Sequence, residues 1–127
     1  MAAVIYFDTH AVVALYKDID LLGEKARRLL RRHADCAICP IVCLELQFLY
    51  EIRQITHSPR QILRHLDSAI GLGICAKPFG SVIEMAEGLG WTRDPFDRII
   101  VAHASLDLDA LITKDARIHE HYRKAVW

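Results

Sequence analysis

The chain has 127 residues, enough to bury one substantial core as a single domain, residues 1–127, without disulfides or a structural metal. Hydrophobic residues make up 53% and charged residues 25%, a balance that excludes an intrinsically disordered polymer. Sixteen basic residues offset sixteen acidic ones for a formal net charge of zero, so no global field gathers a polyanion and any nucleic-acid contact must come from a local patch.

The opening Met1-Ala-Ala-Val-Ile-Tyr-Phe-Asp8 has no basic stretch, and its apolar run is too short for a signal peptide or a membrane span. It predicts a first strand over 4–7 in a cytoplasmic protein. Thr9 onward turns helical through Val12, Val13, Leu15 and Tyr16. Leu21, Leu22, Ala26, Leu29 and Leu30 then recur at helical spacing to about His33, with Arg27, Arg28, Arg31 and Arg32 on the polar face. A second strand over 36–39 stops at Pro40, and Leu44, Phe48, Leu49 and Ile52 mark a helix over 41–53 that carries Glu45.

Ser58-Pro59-Arg60-Gln61 has the pattern of a capping box with proline at the first helical position, opening a helix that Gly71 and Gly73 end. Residues 74–77 read as a third strand, and Ser81-Val82-Ile83-Glu84 as a second capping box with a helix to about Leu89. Asp94-Pro95-Phe96-Asp97 opens a helix through Leu106, Asp94 by its spacing being the N-cap. A fourth strand over 110–113 stops at Lys114-Asp115, residues 116–122 are helical, and 125–127 add an edge strand. Strands alternating with helices predict an α/β layered fold with a mainly parallel sheet.

Ligands of such sheets bind beyond the carboxyl ends of the strands, and acids stand there. Asp8 closes the first strand, Glu45 lies in the helix after the second, Asp115 follows the fourth, and Asp97 is in the first turn of the helix leading to the fourth. Any one of these can be an ordinary cap or solvated residue. Together they repel, and a hard dication is the natural remedy. Oxygen-only ligands suit Mg2+ or Mn2+, which points to phosphodiester hydrolysis. Arg93, Arg98, Lys114 and Arg117 flank the acids, where cations can hold a phosphate chain.

Cys36, Cys39, Cys43 and Cys75 lack the spacing of a paired zinc framework, and a strand puts positions 36 and 39 on opposite faces. They are expected to be reduced thiols. His33, His57, His65, His103, His119 and His121 read as surface or packing residues, whereas His10 stands beside the first acid.

The run Tyr6-Phe7-Asp8-Thr9-His10, Glu45 in its helix, Arg93-Asp94-Pro95-Phe96-Asp97-Arg98 and Leu111-Ile112-Thr113-Lys114-Asp115 resembles, in order and spacing, the PIN-domain ribonucleases, especially the VapC-type toxins of toxin–antitoxin pairs. The resemblance implies a PIN-like fold and a Mg2+- or Mn2+-dependent endoribonuclease. On it, Asp8 and Asp97 touch the metal, Asp115 does so directly or through water, and Glu45 binds metal or orients the attacking water. Thr9, Thr113 and Asp94 stand near the site, and His10 replaces the Asn or Ser common in the family. It further implies an RNA substrate, a homodimer, and an antitoxin partner whose tail enters the active site. Two rival readings are a flavodoxin-like phospho-acceptor receiver and a PIN-like scaffold that binds RNA or protein without cleaving.

Overall fold

The computed structural model describes residues 3–32 and 35–127. Its strands are β1 (Val4–Phe7), β2 (Asp35–Ile38), β3 (Gly73–Ile74), β4 (Ala110–Ile112) and β5 (Ala125–Val126). They form one sheet in the order β3-β2-β1-β4-β5, with every pairing parallel. A parallel pair needs a crossover. The connections hold α1 (Thr9–Lys17), α2 (Glu24–Leu30), α3 (Pro40–Glu51), α4 (Pro59–Ile70), α5 (Phe79–Glu87), α6 (Pro95–Ser105) and α7 (Ala116–His121). The central strand is covered on both faces, as parallel sheets require: Ile5, Tyr6 and Phe7 of β1 are all buried, as are Ile38, Leu111 and Ile112. This is the expected α/β fold, and the flavodoxin-like rival, with its 2-1-3-4-5 order, does not fit it.

Several elements differ from the sequence reading. The predicted helix from Leu21 is split: a 3-10 turn at Ile19–Leu21 precedes α2, and extended Gly23 caps it. A Cβ at Gly23 would sit 2.2 Å from the backbone of Trp127, so the close approach of the chain's last residue requires glycine there. The predicted end near His33 lies outside the described residues. Cys39 is not on the second strand but at the N-cap of α3, so Cys36 and Cys39 are separated by a change of element rather than by alternation. The third strand is only Gly73–Ile74, extended by one hydrogen bond from Cys75 N to the Ile38 carbonyl. The helix expected at Ser81 begins at Phe79 instead. Pro78, its ring fixing φ near a helical value, starts it without a side-chain cap. The capping box at Ser58 forms as read, and Gly71 ends α4 with a φ of 70°.

The apolar row that marked α3 faces outward. Leu44, Phe48 and Ile52 are exposed, while Val42 and Leu46 enter the core. No disulfide joins the cysteines, and no helix is long and apolar enough to cross a membrane, among the described residues.

Between the sheet and α6 lies a polar cluster that the sequence reading did not anticipate. The Lys77 Nζ donates to the His103 carbonyl (2.7 Å) and to Asp109 Oδ2 (2.9 Å), lies 3.0 Å from Asp107, and sits 4.9 Å over the Tyr6 ring. The His103 ring meets the Tyr6 ring edge-on and is fully buried, facing the Cys75 backbone without a hydrogen bond of good geometry. Burial, with the Lys77 charge beside it, holds this imidazole below its ordinary pKa.

Because Asp109 is largely buried, removing its cation leaves an uncompensated charge. Lys77→Met should cost about 3 kcal/mol, read as a lowered urea midpoint at constant slope, and adding Asp109→Asn should recover part of it. A loss under about 0.5 kcal/mol would show that Asp109 needs no counter-charge.

Candidate active site

β1 and β4 are neighbours, with Phe7 opposite Ile112, so the next residues, Asp8 and Thr113, emerge side by side at the carboxyl edge. The Asp8 amide donates to the Ile112 carbonyl at 3.1 Å, continuing the ladder. Its carboxylate is held at both oxygens. Oδ1 accepts from the Ala11 amide at 2.8 Å, capping α1, and Oδ2 accepts from the Thr113 hydroxyl. Asp8 and Thr113 are both buried. The same Thr113 hydroxyl accepts from the Asp115 amide at 3.1 Å, and Asp115 caps α7 through the Ile118 amide at 3.1 Å.

A second loop repeats this arrangement. The buried Thr92 hydroxyl accepts from the Asp94 amide at 3.2 Å, and Asp94 caps α6 through the amides of Phe96 (2.8 Å) and Asp97 (3.4 Å). Thr-x-Asp before a helix therefore occurs twice, at 92–94 and 113–115, each threonine bracing the loop that presents an acid. On α3, the half-buried Glu45 accepts from the Thr9 hydroxyl.

Asp97 differs from the other acids. Its half-buried carboxylate accepts no hydrogen bond among the described residues. Burial first, then the charges of Asp94, Asp115, Glu45 and Asp8, push its pKa from 3.8 up to about 7. Burial likewise raises Asp8 and Glu45, opposed at Asp8 by the Thr113 and Ala11 hydrogen bonds and at Glu45 by Thr9; in both, His10 pulls the other way. Among the described residues no Lys or Arg forms an ion pair with any of these five carboxylates. Their mutual influence puts them in one electrostatic neighbourhood.

A profile of the PIN domain family matches residues 5–124. The chain belongs to the PIN domain family. No curated protein matches it significantly. Among solved structures, a toxin–antitoxin complex from Klebsiella pneumoniae is similar at a TM-score of 0.66 and 20% identity, over 97% of this chain and 96% of that one. VapBC2 from Rickettsia felis bound to a promoter DNA fragment is similar at 0.63 and 20%, over 97% and 96%. DNA-bound VapBC from Salmonella typhimurium is similar at 0.66 and 19%, over 98% and 96%. At such identities the likeness concerns the fold.

Within this PIN domain, a hard dication fits the chemistry of the donors: oxygen ligands only, excess negative charge, and one carboxylate without a partner. No three His, Cys, Asp or Glu side chains are close enough to form a ready-made cage among the described residues. An ion that keeps part of its water shell, as Mg2+ does, suits so open a set.

Other expected site residues are placed as follows. His10 is exposed at the rim. Arg98 donates its Nε to the Thr92 carbonyl at 2.8 Å, so it braces the loop that carries Asp94. Lys114 lies 6.0 Å over the Trp127 ring. Thr92 was missed, although its signal, a second Thr-x-Asp before a helix, was in the sequence. The stack of Trp91 on His121, with centroids 4.9 Å apart and planes within 6°, had no sequence signal, since it joins residues thirty positions apart.

A carboxyl whose folded pKa lies above its unfolded value binds protons more tightly when folded, so its ionisation opposes folding as pH rises. For metal-free protein, Asp97→Asn should therefore become progressively more stable than wild type between about pH 4 and pH 7, the window set by the shift of Asp97 from 3.8 to about 7, and the gap should then level off. Paired thermal melts across that range measure it. A gap independent of pH would mean that Asp97 does not feel its neighbours.

Proposed function

We propose that this PIN domain is a Mg2+- or Mn2+-dependent endoribonuclease and the toxin of a toxin–antitoxin pair. The observation that carries the reading is the unpartnered Asp97 carboxylate, set among four others at the carboxyl edge of a parallel sheet, none of them ion-paired with a Lys or Arg among the described residues. Such a set cannot approach a polyanion while uncompensated.

Asp8, Asp97 and Asp115 would hold the ion, which supplies charge neutralisation and Lewis-acid chemistry at a phosphodiester. The residues of the chain do the rest. Thr113 holds Asp8 and the Asp115 loop in one geometry, and Thr9 orients Glu45. Glu45, whose carboxyl burial raises, aligns the attacking water and accepts its proton. His10, exposed beside Asp8 and Glu45, faces incoming RNA. Asp94 caps α6, holding Asp97 in the first turn, where it faces the cluster.

The partner reading has support in shape. An open groove of about 840 Å³ runs between α3 and α4, bordered by Cys43, Leu63, Leu72 and Ile74 with Arg60 and Arg64 at its rim. It would take the apolar face of an amphipathic antitoxin helix, from which a basic tail residue could reach the acids. The exposed row Leu44, Phe48 and Ile52, with Phe79 lining a common cavity with Leu44, supports a homodimer.

Purified protein should cleave RNA only with Mg2+ or Mn2+ and stop in EDTA. Asp8→Asn and Asp97→Asn should each lose activity by orders of magnitude while staying folded, whereas Asp94→Ser, which keeps a capping hydroxyl, should retain measurable activity. Undiminished cleavage in chelator, from a preparation free of contaminating nuclease, would remove the metal mechanism. On expression, the chain should arrest growth unless the protein of the adjacent gene is supplied, which should co-purify as an inactive complex. A chain harmless when expressed alone would count against a toxin.

A further inference from the structure

Beside the acids, the structure holds a second groove, whose lining adds two arginines to one of those acids. About 490 Å³ in volume, it is bordered by Gly90, Trp91, Thr92, Arg93, Asp94 and Arg117, so Asp94 belongs both to its wall and to the neighbourhood of Asp97. Arg93 and Arg117 are exposed. Arg93 spends one nitrogen on the Gly90 carbonyl at 2.9 Å, which fixes its position and leaves the other donors of its fork. Arg117 has no hydrogen bond or ion pair with any described residue.

Arg117 and His121 are four residues apart on α7 and so share one face of that helix, about 6 Å apart along its axis. That face looks onto the 90–94 loop: Arg117 borders the groove, and His121 stacks on Trp91. Trp91 packs against the core while His121 is exposed, so His121 is the outer layer of a two-ring pile. Moving outward from Asp115, the cap of α7, one meets first a cation and then a flat ring. A nucleic-acid strand presents the same alternation, phosphate and then base.

We infer that this groove and the Trp91–His121 pile beside it are the seat of the nucleotide next to the scissile phosphate, with Arg93 and Arg117 holding its phosphate in the groove and the exposed His121 face of the pile taking its base. This deepens the nuclease reading and rests on it for the identity of the strand as substrate. A base must be unpaired to lie on a ring, so the groove selects single-stranded segments, and stacking accepts any base. The cations lie to one side of the acids, where they attract the strand without displacing the ion.

The test uses a fluorescein-labelled RNA of about eight nucleotides and an abasic strand of equal length. Binding is read by anisotropy in an Asp97→Asn background with Mg2+, and cleavage kinetics in the otherwise wild-type chain. Both tested side chains are exposed, so their loss spares the core. Arg117→Gln should weaken binding about fivefold to tenfold and lower the salt slope by about one. His121→Ala should raise Kd about fivefold or more and erase the preference for RNA over the abasic strand. In cleavage, both losses should appear in KM far more than in kcat. Intact cleavage with neither Kd nor KM altered would overturn the groove and leave the nuclease standing. No cleavage by the unmodified chain, with both variants still impaired in binding, would keep the groove and remove the nuclease. Competition by a polyglutamate peptide as effective as RNA, with no discrimination against the abasic strand, would overturn the assignment in favour of an acidic peptide.

Discussion

Like-charge repulsion at the carboxyl edge of the sheet is the constraint to which the local architecture answers. Among the described residues, five carboxylates share that edge without a lysine or arginine to pair with them, and the fold satisfies most of them with its own donors. Asp8 gives both oxygens to donors; Asp94 and Asp115 are held by the amides of the helices they begin. Glu45 is tied to a threonine hydroxyl. Asp97 has no such donor among the described residues, so burial first and then the charges of Asp94, Asp115, Glu45 and Asp8 raise the pKa of its carboxyl to about 7. On the proposed reading, this unsatisfied carboxylate is where stability is given up for binding.

The same economy governs the opposite charge. Lys77 is withdrawn from the site and buried over the Tyr6 ring against Asp109, and Arg98 is turned to brace the loop beneath Asp94. Neither forms an ion pair with those five acids among the described residues. Arg93 and Arg117 stand next to them in a separate groove. On the proposed nuclease reading, the separation would let one small surface hold both a cation and a polyanion, which a salt-bridged cluster could not do. A net charge of zero is then no obstacle to nucleic-acid binding, because the field that matters is local.

The threonines make the site rigid. Thr113 joins Asp8, just past β1, to the Asp115 loop after β4, so the register of a central strand pair directly fixes the spacing of two acids. Thr92 does for Asp94 within one loop what Thr113 does across two strands. Sites held by strand register and helix caps keep their geometry better than sites built on long loops.

Much of this was legible in the sequence because it depends on short-range chemistry. Apolar runs ending at Asp8 and at Thr113-Lys114-Asp115 mark strand ends, and Ser58-Pro59-Arg60-Gln61 and Asp94-Pro95-Phe96-Asp97 mark helix starts, through hydrogen bonds that span three residues or fewer. The acids could be assigned to one edge because a parallel sheet puts all its carboxyl ends on the same side. Tertiary structure decided whatever depends on distant partners. Gly23 splits a predicted helix because Trp127 crosses it, and the apolar row of α3 faces outward because the core is already filled by Val42 and Leu46. Arg98 donates its Nε to the Thr92 carbonyl because the fold brings that loop within its reach. The burial of Lys77 and the stacking of His121 on Trp91 likewise join residues far apart in the chain. Local hydrogen-bonding patterns are written in neighbouring residues, whereas the destination of a long cationic or aromatic side chain is set by which surfaces the finished fold brings within its reach.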